Sequence, residues 1–386
     1  MGLTFFGKNV VVLGVSTLVD QEVGFLVFAK ESGKSSAGAV VVEPINQNKT
    51  KHRNVDMIKK IRNVKIIGTG SYVPEQIYTN EYICTFVDSN PDWIYNTLGI
   101  KQRHIAQDDE CTSDLATGAA MRAISMAGLS VDDIDLIIVA TTTPDRMAPS
   151  TACIVQEKIG AFNAAAFDLN AVCSGFLYAS TVASQFVASG MYDNVLVIGA
   201  DTFSKIIDWT RRDCVFFGDG AGAAIFSHAE DDSGFISANL QADGRGKMAW
   251  TIPAGGSEKP ATQATLDNRE HKFFMDGQAV FDTATIVLPQ AIKAVLESCD
   301  LTIEDIKYVI PHQPSIGILK KTAEVLGTDF SKFLTNMDRY ANTSGGTIPI
   351  LLDETNRAGK LKSGDLILFA AVGSGWTWGA SVMKWS

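Results

Sequence analysis

The sequence predicts an α/β protein built from two copies of one βα-rich unit. Two observations support this prediction. Short, mostly apolar segments alternate with helical segments from residue 63 onward, and three motifs recur in the same order about 170 residues apart. We therefore divide the chain into an extension over 1–62, a first half over 63–232 and a second half over 233–386.

The predicted strands are short β-branched runs that are mostly apolar rather than alternating between apolar and polar residues. Strands that are buried on both faces of a helix-covered sheet have this pattern. The segments are 64–67, 136–140, 165–169, 195–198, 308–310 and 366–371.

The internal repeat links the two halves motif by motif. LSVDDIDLIIV at 129–139 matches LTIEDIKYVIP at 301–311, and NVLVIGA at 194–200 matches DLILFAA at 365–371. Between these pairs, DLNAVCSG at 168–175 matches DRYANTSG at 338–345. Since binding sites often lie where two units meet, we expect an active site at the junction of the halves.

The first 62 residues differ from the rest in charge, with nine Lys/Arg and five Asp/Glu in a chain whose net charge is −10. Residues 46–60 are polar and basic, which predicts a linker or disorder. The apolar pieces before them have no place in the repeated unit. A genuine extension, a targeting segment and an upstream start choice all remain open.

Composition excludes several classes of protein. The acidic body argues against nucleic-acid binding. The longest apolar stretch near the start, 10–19, is about half of a bilayer span, so no membrane insertion is expected. The six cysteines form no CxxC pair and no Cys/His cluster, which predicts neither a disulfide framework nor a metal site. A cytoplasmic protein fits best.

Cys173 is the candidate nucleophile. The segment at 168–175 predicts a buried strand, a turn of small residues and a helix that starts near residue 176. N–H groups at the start of a helix favour a thiolate. The alternative is a buried structural cysteine, which does not account for the strand–turn–helix context or for its repetition.

The repeat also predicts the partners of Cys173. It pairs positions 172 and 173 with Asn342 and Thr343, which would place Asn342 opposite Cys173 across a pseudo-twofold axis. Among the five histidines, His312 alone closely follows an apolar strand at a proline-flanked turn. A nucleophilic cysteine needs a proton acceptor and an oxyanion partner, so Cys173, His312 and Asn342 form the predicted catalytic set.

These residues lie in motifs that resemble the β-ketoacyl-acyl-carrier-protein synthase III family, along nearly its whole length from residue 63 to 386. The resemblance implies the thiolase fold, with five layers in the order αβαβα, which agrees with the repeat. The motifs are KIIGTGSYVPEQIYTN at 65–80, DWIYNTLGIKQRHIA at 92–106, FGDGAGAA at 217–224, PHQPS at 311–315, YANTSGGTIP at 340–349 and GSGWTWGAS at 373–381.

The resemblance implies an acyltransferase that needs no cofactor. An acyl-CoA would acylate Cys173, and a malonyl thioester, usually on acyl-carrier protein, would lose CO2. The enolate would then attack the acyl group and give a β-ketoacyl thioester, which initiates fatty-acid or polyketide synthesis. His312 and Asn342 would bind the extender's thioester oxygen, and the backbone N–H groups of Cys173 and Ser374 would bind the acyl oxyanion.

The same resemblance implies the substrate contacts. Trp93 would stack on the CoA adenine with Arg211 on its other side, or with Arg212, because the chain is one residue short in this region. Ser315 would lie against CoA. The loop at 145–150 resembles one that reaches the acyl pocket of a partner in a homodimer. Its residues Met147 and Ala148 would shape that pocket, and the small Ala148 would admit a longer or branched acyl chain.

The chain departs from the family pattern after His312. The family usually has Gln-Ala-Asn there, with an arginine two residues later that docks the carrier protein. This sequence has Gln-Pro-Ser at 313–315 and Gly317 in place of the arginine. Lys320 and Lys321, about one helical turn further on, are candidates for the missing charge.

Three other functions share parts of this pattern. A related enzyme of secondary metabolism would join two acyl units, or transfer an acyl group to a non-malonyl acceptor, through the same Cys173 intermediate. A thiolase would need a second catalytic cysteine near the C-terminus, and the sequence has none there. An inactive scaffold that binds an acyl carrier would not require an intact Cys–His–Asn set.

Overall fold

The computed structural model describes residues 62–386 and, in the extension, the backbone of two short strands. Contacts separate the chain into two compact units, 1–58 and 59–386. In the first unit, β1 (Gly2–Phe5) and β2 (Lys8–Val11) pair in antiparallel orientation. The predicted linker at 46–60 lies outside the described residues.

Thirteen strands lie within residues 62–386. They are β3 (Asn63–Tyr72), β4 (Gln76–Thr79), β5 (Gln102–Ile105), β6 (Leu136–Ala140), β7 (Ala165–Leu169), β8 (Asn194–Asp201), β9 (Gly220–Ala229), β10 (Gly234–Ala242), β11 (Trp250–Thr251), β12 (Phe274–Met275), β13 (Tyr308–Pro311), β14 (Leu366–Gly373) and β15 (Thr377–Lys384).

Ten α-helical segments accompany these strands within the same residues. They are α1 (Asn80–Ile83), α2 (Pro91–Trp93), α3 (Thr112–Ala127), α4 (Thr151–Ile159), α5 (Gly175–Ala188), α6 (Gln263–Asp267), α7 (Gly277–Glu297), α8 (Ile316–Leu326), α9 (Met337–Tyr340) and α10 (Thr347–Arg357). A π-helical turn, Ile94–Leu98, continues α2.

Two larger sheets organise the second unit. The N-terminal sheet has the order β3-β9-β8-β6-β7, and the C-terminal sheet has the order β10-β15-β14-β13. In each sheet the strands toward one edge are parallel (β8, β6 and β7; β14 and β13), while the strands toward the other edge pair in antiparallel orientation. At the position of β7, the described part of the C-terminal sheet has only an isolated parallel bridge between Val309 and Phe333.

The side chains of the central strands alternate between two layers. On β6, Ile137 and Val139 pack with α3 and α4, while Leu136 and Ile138 face α5 and α10. Strand β14 repeats this arrangement, with one face on α5 and α10 and the other on α7 and α8. Helices α5 and α10 therefore lie between the two sheets, and the five-layer αβαβα prediction is confirmed.

Four of the predicted strand segments match β6, β7, β13 and β14 to within two residues, while the segments at 64–67 and 195–198 fall inside the longer β3 and β8. The other strands within residues 62–386, among them β9, β10 and β15, were not predicted. Those three contain many small and polar residues, as in GAGAAIFSHA for β9. Neighbouring strands and helices bury β9 and most of β15, whereas β10 is largely half-buried. Local composition therefore gave no strand signal for them.

Among the described residues, α7 is long and apolar enough by length and composition to cross a membrane. It packs along β14 and β15, and a helix in the core of a folded domain passes the same test of composition. The expected absence of a membrane segment stays a prediction.

Candidate active site

The nucleophile turn, Val172–Ser174, joins the end of β7 to the start of α5. Val172 has a φ of 49°, which is uncommon for a β-branched residue and indicates that the surrounding structure holds the turn. The start of β15 supplies part of that support. Thr377 Oγ1 donates to the Ala171 carbonyl at 3.0 Å, and Ser174 Oγ donates to the Thr377 carbonyl at 3.1 Å.

Strand β14 approaches this turn closely because residue 373 is glycine. A Cβ at Gly373 would lie 2.8 Å from the Ala171 oxygen and 3.0 Å from the Cys173 nitrogen. Any side chain there would push the strand away from the nucleophile turn. The next residue, Ser374, donates its hydroxyl to the Trp250 carbonyl at 2.6 Å, which fixes the loop beside Cys173.

Asn342 lies at the corresponding turn of the second half, which we call the asparagine turn (342–346). The Asn342 backbone is held by Phe216 and Gly218, through N···O distances of 3.0 and 3.1 Å. Its side-chain Oδ1 accepts the Ser344 N–H at 2.8 Å. Because an N–H must meet an oxygen, this contact orients the amide and leaves the Asn342 NH2 group as a free donor.

His312 follows β13 and is anchored by its backbone N–H, which donates to the Ala370 carbonyl at 2.8 Å. Its Nδ1 lies 2.8 Å from Thr347 Oγ1 at the start of α10, while Nε2 has no hydrogen-bond partner among the described residues. Burial lowers the pKa of His312 to about 3, because desolvation disfavours the imidazolium. The ring is therefore neutral at physiological pH.

The Cys173 thiol lines a cavity, to which the residue is partly exposed. The protein around it raises its pKa to about 12 by desolvation, which outweighs a lowering by the Ser344 hydroxyl, and the Asp201 carboxylate raises it further. Desolvation therefore opposes the thiolate that the position of Cys173 at the start of α5 favours. We expect removal of the thiol proton to accompany acylation.

A single cavity of about 390 Å3 brings the predicted residues together. Cys173, His312 and Asn342, which come from three different elements, all line it. The cavity also contains Trp93, Ser315 and Ser374 among its lining residues. Most of the remaining wall is aromatic or apolar and was not predicted as part of the site, although Phe217 and Trp376 lie in the motifs at 217–224 and 373–381: Phe216, Phe217, Trp250, Met275, Phe281 and Trp376.

Of the two candidate arginines, Arg212 rather than Arg211 faces Trp93. The Arg212 guanidinium lies 4.1 Å from the centre of the Trp93 ring. Arg211 is instead paired with Asp213 at 2.7 Å and lies over Phe274. The assignment of Arg211 beside Trp93 is therefore corrected to Arg212. Sequence spacing could not distinguish Arg211 from Arg212, because this region is one residue shorter than the family pattern.

Besides Arg211 and Arg212, four predicted residues do not line the cavity of the single chain. Met147 is 85% exposed, and Ala148 is exposed beside it in the loop between β6 and α4. Lys320 and Lys321 are exposed on α8, where Lys321 pairs with Glu324 at 2.9 Å. Gly317, one turn before them, lines the cavity.

Metal chemistry has no obvious ligand set here. Within residues 62–386, no group of three or more His, Cys, Asp or Glu side chains is arranged to hold a metal ion.

Comparisons with known proteins identify the family. Residues 167–244 match 3-oxoacyl-[acyl-carrier-protein] synthase III, and residues 296–385 match its C-terminal part. The β-ketoacyl-[acyl-carrier-protein] synthase III of Caldanaerobacter subterraneus subsp. tengcongensis is 50% identical over 322 residues, which are 83% of this chain and 97% of that protein. The chain belongs to the β-ketoacyl-acyl-carrier-protein synthase III family. The predicted family and enzyme class, an acyltransferase, are confirmed.

Other similar proteins match nearly the same share of this chain. That of Clostridioides difficile is 46% identical, covering 83% of this chain and 98% of the relative. The crystal structure of the Aquifex aeolicus VF5 synthase III superposes with a TM-score of 0.77 at 40% identity, covering 83% of this chain and all of the other. The priming β-ketosynthase of the R1128 polyketide pathway gives 0.78 at 29% identity, covering 85% and 98%.

Proposed function

We propose that this synthase III catalyses a decarboxylating condensation that starts fatty-acid or polyketide synthesis. An acyl-CoA acylates Cys173, and a malonyl thioester then supplies the attacking enolate. The observation that best supports this proposal is the convergence of Cys173, His312 and Asn342, from three elements, on one largely apolar cavity.

In the first step, the Cys173 sulfur bonds to the acyl carbon and the carbon–sulfur bond to CoA breaks. The backbone N–H groups of Cys173 and Ser374 would stabilise the oxyanion. Since only the backbone of residue 374 would act, a serine serves as well as a glycine, and its hydroxyl bond to Trp250 holds the peptide in place. Fixed donors of this kind need no reorganisation during reaction.

In the second step, CO2 leaves and negative charge develops on the thioester oxygen of the extender. The free NH2 group of Asn342 would donate to that oxygen. His312 would donate from Nε2 in the tautomer in which the Thr347 hydroxyl donates to Nδ1 rather than to the Ser344 carbonyl, which lies 2.9 Å from it, because the neutral ring has one proton to place. The apolar walls exclude water and strengthen both hydrogen bonds.

Trp93 and Arg212 are the proposed adenine contacts of CoA, with Ser315 further along the same cavity. Trp93→Ala and Arg212→Ala are each expected to raise the KM for acyl-CoA about tenfold, corresponding to the loss of one stacking contact. Steady-state kinetics with acyl-CoA would measure this. An equal effect of Arg211→Ala, which leaves the Arg212–Trp93 contact intact, would contradict the assignment; Arg245→Ala, at an exposed site, is the control.

We propose acyl-carrier protein as the carrier of the extender. Lys320 and Lys321 would contribute positive charge for an acidic partner, in the absence of the arginine that Gly317 replaces. Surface charges of this kind chiefly raise association rates. Lys320 is the better candidate, since Lys321 is already paired with Glu324.

The division into halves, the oligomeric state and the localisation are also proposals. We propose two halves, 63–232 and 233–386, because the four strands of the C-terminal sheet, β10-β15-β14-β13, have the same order along the chain as the strands β3-β9-β8-β6 of the N-terminal sheet. A homodimer is proposed because Met147 is exposed and β7 is an edge strand with an apolar sequence, and unpaired edges of this kind invite pairing. A cytoplasmic enzyme without cofactor, nucleic-acid or membrane partner completes the proposal.

A panel of acyl-CoAs tests this function by intact-protein mass spectrometry. We expect one acyl group per chain, followed by its discharge when malonyl-acyl-carrier protein is added. Discharge by malonyl-CoA alone would make the carrier protein unnecessary. Acylation without discharge by either malonyl thioester would favour the secondary-metabolism alternative. That alternative also agrees with the glycine at position 317, where the family has an arginine that docks the carrier protein. No acylation by any acyl-CoA would contradict the proposal.

A further inference from the structure

The wall of the active-site cavity has an exposed part and a buried part. In the exposed part, Phe281 is 40% exposed, and Gly277, one turn earlier in α7, is exposed as well. In the buried part, Phe217 and Trp250 line the cavity with little contact with solvent. A thioester whose carrier remains outside the protein therefore reaches Cys173 through the exposed part.

Two further aromatic rings, those of Phe203 and Phe273, lie behind the buried part of the wall and are themselves fully buried. Trp250 stacks on Phe273 with ring centres 5.5 Å apart, and Phe217 stacks on Phe203 at 4.8 Å. Phe217 also meets Phe273 edge-on at 5.0 Å, and Phe203 lies 5.8 Å from Trp250. We call these four rings the aromatic block. Because a close-packed interior contains few voids, the two rings that line the cavity have no room to move back from it.

The aromatic block lies against the residues that surround the nucleophile. The Trp250 carbonyl accepts the Ser374 hydroxyl at 2.6 Å, and the backbone N–H of Ser374 is a proposed oxyanion donor. On the other side, Phe217 forms an isolated parallel bridge with Asn342. An acyl group bound to Cys173 therefore begins close to both cavity-lining rings of the block.

The order of the two steps determines which part of the cavity the acyl chain occupies. The acyl group stays on Cys173 while CoA leaves and the extender enters, so it must not obstruct the exposed part of the cavity. The buried part is also the better solvent for a hydrocarbon chain, because its wall is aromatic. The acyl chain therefore points toward the aromatic block, and the ring of Trp250 limits its length.

We propose that Trp250 determines acyl specificity and restricts the primer to short, unbranched acyl groups such as acetyl and propionyl. The inference rests on the acylation step proposed above and deepens it by naming the class of primer. A small residue at position 148 then does not by itself admit a long or branched chain, because Trp250 closes the cavity from within the same chain as Cys173.

A longer acyl chain would have to push Trp250 away from its stack on Phe273 and from its packing against Phe203. One methylene too many typically changes the rate of an enzyme with a hydrophobic pocket by about 10–200-fold. Hexanoyl-CoA, whose chain exceeds that of acetyl-CoA by several methylenes, should therefore acylate Cys173 at least about a hundredfold more slowly than acetyl-CoA.

The test is the rate of acylation of the full-length enzyme by acetyl-, propionyl-, butyryl-, isobutyryl- and hexanoyl-CoA, followed by intact-protein mass spectrometry. Trp250→Ala removes the ring that closes the cavity and should bring the rate with hexanoyl-CoA to within about tenfold of that with acetyl-CoA. Phe281→Ala is the matched control, because it removes an aromatic ring from the exposed part of the same wall. It should change all rates by a similar factor and keep the wild-type ratio between them.

A second variant covers a folding defect. Trp250→Leu keeps an apolar side chain in the core and should accept butyryl- and isobutyryl-CoA better, relative to acetyl-CoA, than the wild type does. Equal wild-type rates with acetyl- and hexanoyl-CoA would overturn the role of Trp250 while leaving the proposed function intact. So would unchanged ratios in the Trp250 variants, and a changed preference in Ala148→Phe would then assign specificity to the loop at 145–150. Failure of the wild type to acylate with any acyl-CoA would instead overturn the proposed function, and the specificity inference with it.

Discussion

Cys173→Ala is expected to carry no acyl group after incubation with any acyl-CoA that modifies the wild type. The sulfur is the only protein atom in the proposed mechanism that bonds to the acyl carbon. Its removal leaves the oxyanion donors without an attacking group. Condensation activity should fall by several orders of magnitude, because an alternative nucleophile would have to come from solvent. Intact-protein mass spectrometry and product formation measure the two losses separately.

The exposed Cys111, at the start of α3, supplies the control for this variant. Cys111→Ser keeps a capping side chain at that position and should be acylated as the wild type is. An acyl group on Cys173→Ala, released by hydroxylamine and mapped to another cysteine, would mean that the nucleophile has been wrongly assigned. Burial of the Cys173 thiol also predicts slow alkylation of the resting enzyme near neutral pH, since its pKa is raised to about 12.

His312→Ala and Asn342→Ala are expected to impair condensation far more than acylation. Each side chain would contact the extender's thioester oxygen, on which charge develops only in the second step. Removal of one oxyanion donor typically lowers kcat by about 10²–10³, or roughly 3–4 kcal/mol. Rapid-mixing measurements of acyl transfer from acyl-CoA and of CO2 release from the malonyl thioester distinguish the two steps.

Asn342→Asp sharpens this test at constant size. A carboxylate in place of the amide would offer no donor and would repel the enolate, so its condensation rate should be no better than that of Asn342→Ala. Because His312 is neutral above a pKa of about 3, its titration should contribute nothing to the rate profile between pH 5 and 8. Equal losses of acylation and condensation in these variants would show that the two residues act in both steps.

The sequence was sufficient for the larger architecture. Apolar strands such as 136–140 and 366–371 were recognisable because strands covered on both faces contain few polar residues. The repeat at 168–175 and 338–345 related Cys173 to Asn342 and implied that they meet. His312 could be found because the turn after β13 follows a strand of the repeated unit. Each of these inferences depends only on local pattern or on order along the chain.

The contacts between distant segments could not be predicted in the same way. Gly345 donates to a carboxylate 144 positions earlier in the chain, and no local pattern relates the two. The choice of Arg212 over Arg211 beside Trp93 depends on how a short 3-10 segment, Arg212–Phe216, packs. Because the spacing in this region differs by one residue from the family pattern, the sequence does not indicate which arginine lies beside Trp93.

Hydrophobic periodicity and the repeat thus predicted the two-sheet fold and the identity of the catalytic set, because both can be read from the order of residues along the chain. The protonation of that set was decided by packing. A cysteine at a helix N-terminus suggests a thiolate, yet the two sheets bury Cys173, His312 and Asp201 together and favour the neutral form of each. Desolvation depends on everything that surrounds a group, and only the assembled tertiary structure determines those surroundings.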